Sequence, residues 1–260
     1  MKILDVYDKN SFKDLTCGGN LIYEMIDNYF SMYPVEYRKN YDTNLKTVEI
    51  LRVDDMLLDN SGEYDADNNR VKFTNFKSLP HELMHMASYD KKKKKMAFAK
   101  DVIDFELGLV EGMTEYLAME IIGEVEPQAY HFPVFCVSML AEIPSIFEHY
   151  FIPNYDKFLG LFPNKRDILN LMYALDYYNE SIYQTVQDNE KIALTIRDTI
   201  DALIDIELSM ESDIRELRLY KEKFMDLLNN DTLDSYLGEF FPDYVDYANC
   251  ELTQRLIKKR

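Results

Sequence analysis

His81-Glu82-Leu83-Met84-His85 is the stretch whose reading decides the rest of this 260-residue chain. An α-helix turns once in about 3.6 residues, so histidines four apart stack on one face and can converge on a single cation. Glu82 stands one step round from His81, where it can touch a water held by that cation without ligating the ion itself. A zinc-dependent hydrolytic centre needs this arrangement. The chain has only four histidines, which makes the spacing an improbable accident, although a surface helix with two unrelated histidines is the alternative. The flanks argue for the zinc site: Ser78 and Pro80 are helix-opening residues, and Leu83, Met86 and Ala87 form an apolar stripe away from the histidines. One face is expected to pack while the other is free for chemistry.

With 47% apolar residues the chain can bury a substantial core, as one large domain or two apposed lobes. A formal net charge of -18 with no basic stripe speaks against nucleic acid as a partner, whereas a cationic peptide would be attracted. Simple solubility is the other reading of that acidity. Cys17, Cys136 and Cys250 lie far apart with no Cys-x-x-Cys pair, so neither a thiolate metal site nor a disulfide framework is suggested, and a reduced, cytoplasmic setting is expected. Acids interrupt the short apolar run of residues 1–8, and no 18-residue apolar run follows, so neither a secretory leader nor a membrane span is expected. Export without a cleavable signal stays open. Oligomeric state has no signature here.

Around the histidines, periodicity predicts an opening helix at about residues 19–32 and a strand over Lys46 to Val53. Residues 62–73 read as a hairpin turning at Asp67-Asn68-Asn69, and an edge strand there could pair with an extended peptide or be an ordinary surface feature. The five lysines 91–95 predict a solvated loop. Helical patterns follow at about 101–123, at 133–150 with an interruption near Pro144, at 165–178, at 181–228, and after Pro242. The expected organisation is a catalytic region over residues 1–150 and an all-helical subdomain over 151–260.

Two histidines leave a tetrahedral zinc one protein ligand short if the fourth position is to hold water. Glu111, 26 residues after His85 on a predicted helix, is the best candidate. Glu115, one turn further along the same face, could accept the free N–H of a ligating histidine and fix its tautomer. Tyr130 and His131, just ahead of a helix opened by Pro133, are candidates to donate a hydrogen bond to a developing oxyanion, or else a buried tyrosine and a capping histidine. His149 reads as a residue suited to a helix C-terminus and is given no role.

His81-Glu82-x-x-His85 followed by Glu111-Gly112-x-Thr114-Glu115 resembles the gluzincin zinc metallopeptidases, over roughly residues 45–125. The resemblance implies a zincin-like α+β fold: a small twisted sheet and active-site helices, followed by a mostly helical C-terminal half. It implies that Glu111 is the third zinc ligand, that Glu115 holds the acidic outer position, and that the hairpin supplies the substrate-aligning edge of the sheet. No Gly-x-Met-Glu-Asn element precedes the histidines, which favours an endopeptidase over an aminopeptidase. Asp104 stands where some of these enzymes carry a catalytic tyrosine.

The expected protein is therefore a zinc peptidase acting on a peptide or protein substrate, with His81, His85 and Glu111 holding the metal and Glu82 as general base. A zinc aminopeptidase, or a non-catalytic helical interaction protein with a structural metal site, is the alternative.

Overall fold

Asp65 makes the turn from which the sheet is built: its carboxylate accepts the Asn68 backbone N–H at 3.1 Å and the Asn68 side-chain amide at 2.7 Å. Asn69, with φ at +50°, completes the reversal in the left-handed region that asparagine tolerates. The computed structural model describes residues 1–56, 61–98, 107–124, 127, 129–182, 189–211, 213–230, 233 and 241–258. The hairpin strands are β5 (Gly62–Asp65) and β6 (Arg70–Phe73), paired antiparallel with Tyr64 opposite Val71. Strand β4 (Glu49–Val53) runs parallel to β6, and β1 (Ile3–Tyr7) pairs antiparallel with β4, giving the order β1-β4-β6-β5. Ile50 and Leu51 are neighbours in β4 and so point to opposite faces, yet both are buried, which means that both faces of this strand are covered.

The two-stranded pairs β2 (Thr16–Cys17) with β3 (Asn20–Leu21) and β7 (Tyr89–Asp90) with β8 (Lys95–Met96) complete the strands among the described residues. The helices are α1 (Ile22–Ser31), α2 (Lys39–Leu45), α3 (Leu79–Ser88), α4 (Leu107–Ile122), α5 (His131–Leu140), α6 (Glu148–Phe151), α7 (Tyr155–Leu159), α8 (Lys165–Ile182), α9 (Asn189–Met210), α10 (Ile214–Leu228) and α11 (Phe241–Lys258). The fold is thus α+β and mostly helical, with one small mixed sheet.

The chain divides into two compact units, each assembled from separate stretches. The first comprises Met1–Ile103, Met113–Ala129 and Ser145–Tyr155. In it α3 packs against α2, β5, β6 and α6, and every residue of α3 is buried. The second comprises Asp104–Gly112, Tyr130–Pro144 and Asp156–Arg260, with α8 packed along α9, and α10 against α5 and α11.

Several expectations change in the structure. The helical stretch expected from 181 to 228 opens with the end of α8, passes through residues 183–188 outside the described residues, and then holds α9 and α10. Asp213 starts α10 by accepting the Arg215 N–H at 2.8 Å, an N-cap that competes with continuing the helix. The lysine run is solvated as expected over residues 91–94, the exposed turn between β7 and β8, while Lys95 opens β8. Asp90 holds the turn by accepting the backbone N–H groups of Lys92 and Lys93, which offsets the like-charge repulsion. Ser78 does not cap α3 with its side chain; its hydroxyl donates to Ser61 O and Asn75 O, both at 2.8 Å. The start of the helix expected at 101–123 and the position of Asp104 lie outside the described residues. No helix among the described residues is long and apolar enough to cross a membrane. Cys17 and Cys136 are buried free thiols and Cys250 an exposed one; burial pushes the Cys136 thiol well above its usual range.

Candidate metal centre

Helix α3 is apolar wherever it is not functional. Leu79, Leu83, Met84, Met86 and Ala87 are fully enclosed, and each of the larger side chains contributes about 1.5–3 kcal/mol on burial. That gain holds three ionisable groups out of water: His81, Glu82 and His85 are only 8%, 6% and 8% exposed. The sequence pattern had left their face open to solvent. Glu115 and Thr114 of α4 and Gly62 of β5 meet it instead. Removing a charge from water costs several kcal/mol unless partners replace the lost hydration, so the partners decide what the site can do.

His81 has the stronger anchor. Its Nδ1 lies 2.8 Å from Glu115 Oε2, and Glu115 Oε1 accepts the Ala129 backbone N–H at 3.2 Å. A carboxylate at this distance takes the hydrogen on Nδ1, which leaves the lone pair on Nε2. His85 turns its own Nε2 to within 3.2 Å of that atom. Two imidazole nitrogens bound to one tetrahedral zinc at its usual bond lengths stand about 3.3 Å apart. The observed gap fits that spacing, and a cation or a hydrogen can be shared between the two nitrogens.

Glu111, of intermediate burial, completes the group: one ligand atom each from His81, His85 and Glu111 lie within 4.8 Å of one another. Two glycines explain how the N-terminal part of α4, up to Gly112, is seated in the second unit. A Cβ on Gly108 would stand 2.6 Å from the Leu175 backbone, and one on Gly112 would stand 2.8 Å from Pro133, so both approaches require the missing side chain. Asp176 accepts the Gly108 N–H at 2.8 Å, placing a carboxylate at the positive end of the helix.

Glu82 meets the sheet at the first residue of β5. A Cβ on Gly62 would lie 2.5 Å from Glu82 Oε1, so the bare backbone of Gly62 makes room for the carboxylate. Tyr130 directly precedes α5 with φ at +55°, a left-handed conformation unusual for a tyrosine, and His131 opens that helix; both are half-buried. His131 is not part of the ligand group, and neither residue belongs to the first unit. His149 is buried on α6.

Three further residues meet this centre without having drawn a role from the sequence. Gly62 is one, and the only local hint was its place at the start of a strand. Thr114, fully buried on α4, sits 3.5 Å from His85 Nδ1; a hydroxyl between two acidic positions of an apolar helix was the available sign. Tyr150 reaches Thr114 at 2.8 Å from 36 residues away, and nothing in its neighbours announces that. No protein-family model matches the chain, and no solved structure matches it. Function has to be argued from these side chains.

Proposed function

We propose that the protein is a zinc-dependent peptidase, an endopeptidase of gluzincin type with a zincin-like catalytic region. The observation that carries the reading is the convergence of one ligand atom each from His81, His85 and Glu111, the two Nε2 atoms 3.2 Å apart, with Glu82 beside the histidines on α3. Two imidazoles and one carboxylate suit zinc as a donor set and leave a fourth position for solvent. When bound, zinc supplies Lewis acidity at this point, acidifying water and polarising a carbonyl oxygen. Glu82 takes a proton at its carboxylate and returns it to the nitrogen of the departing amine. Glu115 keeps the Nδ1 hydrogen of His81 in place, so that Nε2 remains the donor atom. Tyr130 or His131 supplies the hydrogen bond to the developing oxyanion in this reading.

Support for a peptide substrate comes from β5. It is the last strand of the sheet among the described residues, and its first residue lies against Glu82, so a chain paired along that edge would be led toward the carboxylate. The buried free thiols accord with a reducing, cytoplasmic setting.

One observation favours a second reading, a metal-stapled interaction protein: His81, Glu82 and His85 are nearly closed to solvent, and structural zinc sites are closed whereas catalytic ones keep a position open. Metal analysis of the purified protein, followed by incubation with a peptide library with and without chelator, separates the two. Chelator-sensitive cleavage is expected. Stoichiometric zinc with no cleavage would select the stapled binding protein, and loss of cleavage on blocking substrate amino termini would select an aminopeptidase.

A further inference from the structure

The two histidines of α3 have unlike partners at Nδ1. His81 faces the Glu115 carboxylate at 2.8 Å, a charged acceptor that admits one tautomer. His85 faces the Thr114 hydroxyl at 3.5 Å, the outer limit of a hydrogen bond, and that hydroxyl is bound to the Tyr150 hydroxyl at 2.8 Å. Both Thr114 and Tyr150 are fully enclosed. A buried hydroxyl is costly unless it is used, and these two are used on each other and on the histidine.

Tyr150 is itself held from several sides. Its ring meets Phe151 edge-on at 5.1 Å, and Phe151 in turn packs on Phe30 at 5.2 Å and Tyr37 at 5.6 Å. The Asn40 side-chain amide donates to Phe151 O at 3.0 Å. The short helix α6 is therefore pinned to α1 and α2, and the tyrosine hydroxyl has a fixed address. Thr114 inherits it. Because a β-branched residue in a helix has few side-chain rotamers, a hydroxyl bound on one side by Tyr150 stays turned toward His85.

We infer that Thr114 and Tyr150 are positioning residues for His85: the hydroxyl pair accepts the Nδ1 hydrogen of that ring and keeps its Nε2 lone pair aimed at the cation site. They hold this role only if His85 is a metal ligand, as proposed above. Thr114 receives the hydrogen bond from Nδ1, and its own O–H turns to Tyr150. A neutral partner raises the basicity of a ligand less than a carboxylate does, so His85 is the weaker and more adjustable of the two donors.

The test uses the full chain and cobalt(II) or zinc alone as probe. Affinity is measured by competition with a chromophoric chelator in the parent protein and in Thr114→Val, Thr114→Ser, Tyr150→Phe and the Thr114→Val/Tyr150→Phe double variant. Thr114→Val keeps the shape and removes the hydroxyl; it is expected to weaken binding by about 10–100-fold and to alter the cobalt absorption spectrum. Thr114→Ser restores both. Tyr150→Phe alone gives a smaller loss, and the double variant is no worse than Thr114→Val, since Tyr150 acts only through that hydroxyl. Long-range nitrogen NMR of the zinc-loaded protein should find the His85 hydrogen on Nδ1 in the parent and Thr114→Ser.

Parental affinity and spectrum in Thr114→Val, or a double variant as weak as the product of the two single losses, overturns the positioning role while leaving the metal centre intact. A parent protein that binds neither ion overturns both. If Thr114→Val fails to fold, Thr114→Ser and Tyr150→Phe decide the matter, and equal affinity in Tyr150→Phe and parent overturns the relay.

Discussion

Helices α3 and α10 are opposite solutions to the same problem. In α10 only Leu217, Phe224 and Leu228 are fully buried, and its exposed residues include Arg215, Glu216, Arg218, Glu222 and Asp226. Water reaches its charges, and ion pairs such as Lys223 with Glu142 and Arg215 with Asp213 lie at the surface, where they contribute little. In α3 all ten residues are buried, including two imidazoles and a carboxylate. Polar groups there must be met by protein, and the meetings are specific: Glu115 for His81 and Thr114 for His85, while the missing side chain of Gly62 leaves room for Glu82. The difference teaches that charge on a helix indicates function only when packing has removed the solvent alternative.

The contrast can be broken most sharply at Glu82. Glu82→Gln should lower peptide cleavage by about 10²–10⁴-fold while the zinc content is unchanged, measured by initial rates and metal analysis of the same preparation. Normal cleavage by that variant would remove Glu82 from its role. Next in size is Leu83→Ala, which opens a cavity beneath the histidines and should cost about 2–5 kcal/mol in chemical denaturation. Gly62→Ala drives a methyl group into the Glu82 carboxylate. Displacement by about an ångström is expected to reduce turnover by about 10²-fold with metal still bound, and an unaffected rate would show that the contact is not needed. At the other pole, Leu219 on α10 is 58% exposed, and Leu219→Ala should change stability by less than about 0.5 kcal/mol. A loss there as large as that of Leu83→Ala would erase the contrast.

Much of the local structure was legible in the chain. The turn at residues 66–69 follows from Asp65 and Asn68, whose side chains close it locally, and from the left-handed backbone of Asn69, whose amide then reaches Asn44 O and Thr47. Helix α3 starts where Pro80 permits, and α5 and α6 flank the break expected near Pro144. Strand β1 and helix α2 were not legible. Four of the five residues of β1 are exposed and its apolar run is broken by Asp5, so pairing with β4 makes it a strand, rather than a buried face of its own. Helix α2, Lys-Asn-Tyr-Asp-Thr-Asn-Leu, is rich in weak helix formers and persists because Tyr41, Asn44 and Leu45 are buried, with the Asn44 amide donating to Met86 O and Tyr89 O at 2.9 Å each.

Sequence alone determined which side chains can share a cation, because a period of 3.6 residues puts His81 and His85 on one face whatever surrounds them. It also offered Glu111 as a candidate third ligand and Glu115, one turn on, as an acceptor for a histidine N–H. Only the tertiary structure decided that the face would be enclosed, that a glycine would receive Glu82, and that Thr114 would meet both His85 and a tyrosine 36 residues away. Backbone periodicity is a local property of a few successive residues, whereas burial and contact depend on which distant segments fold against them.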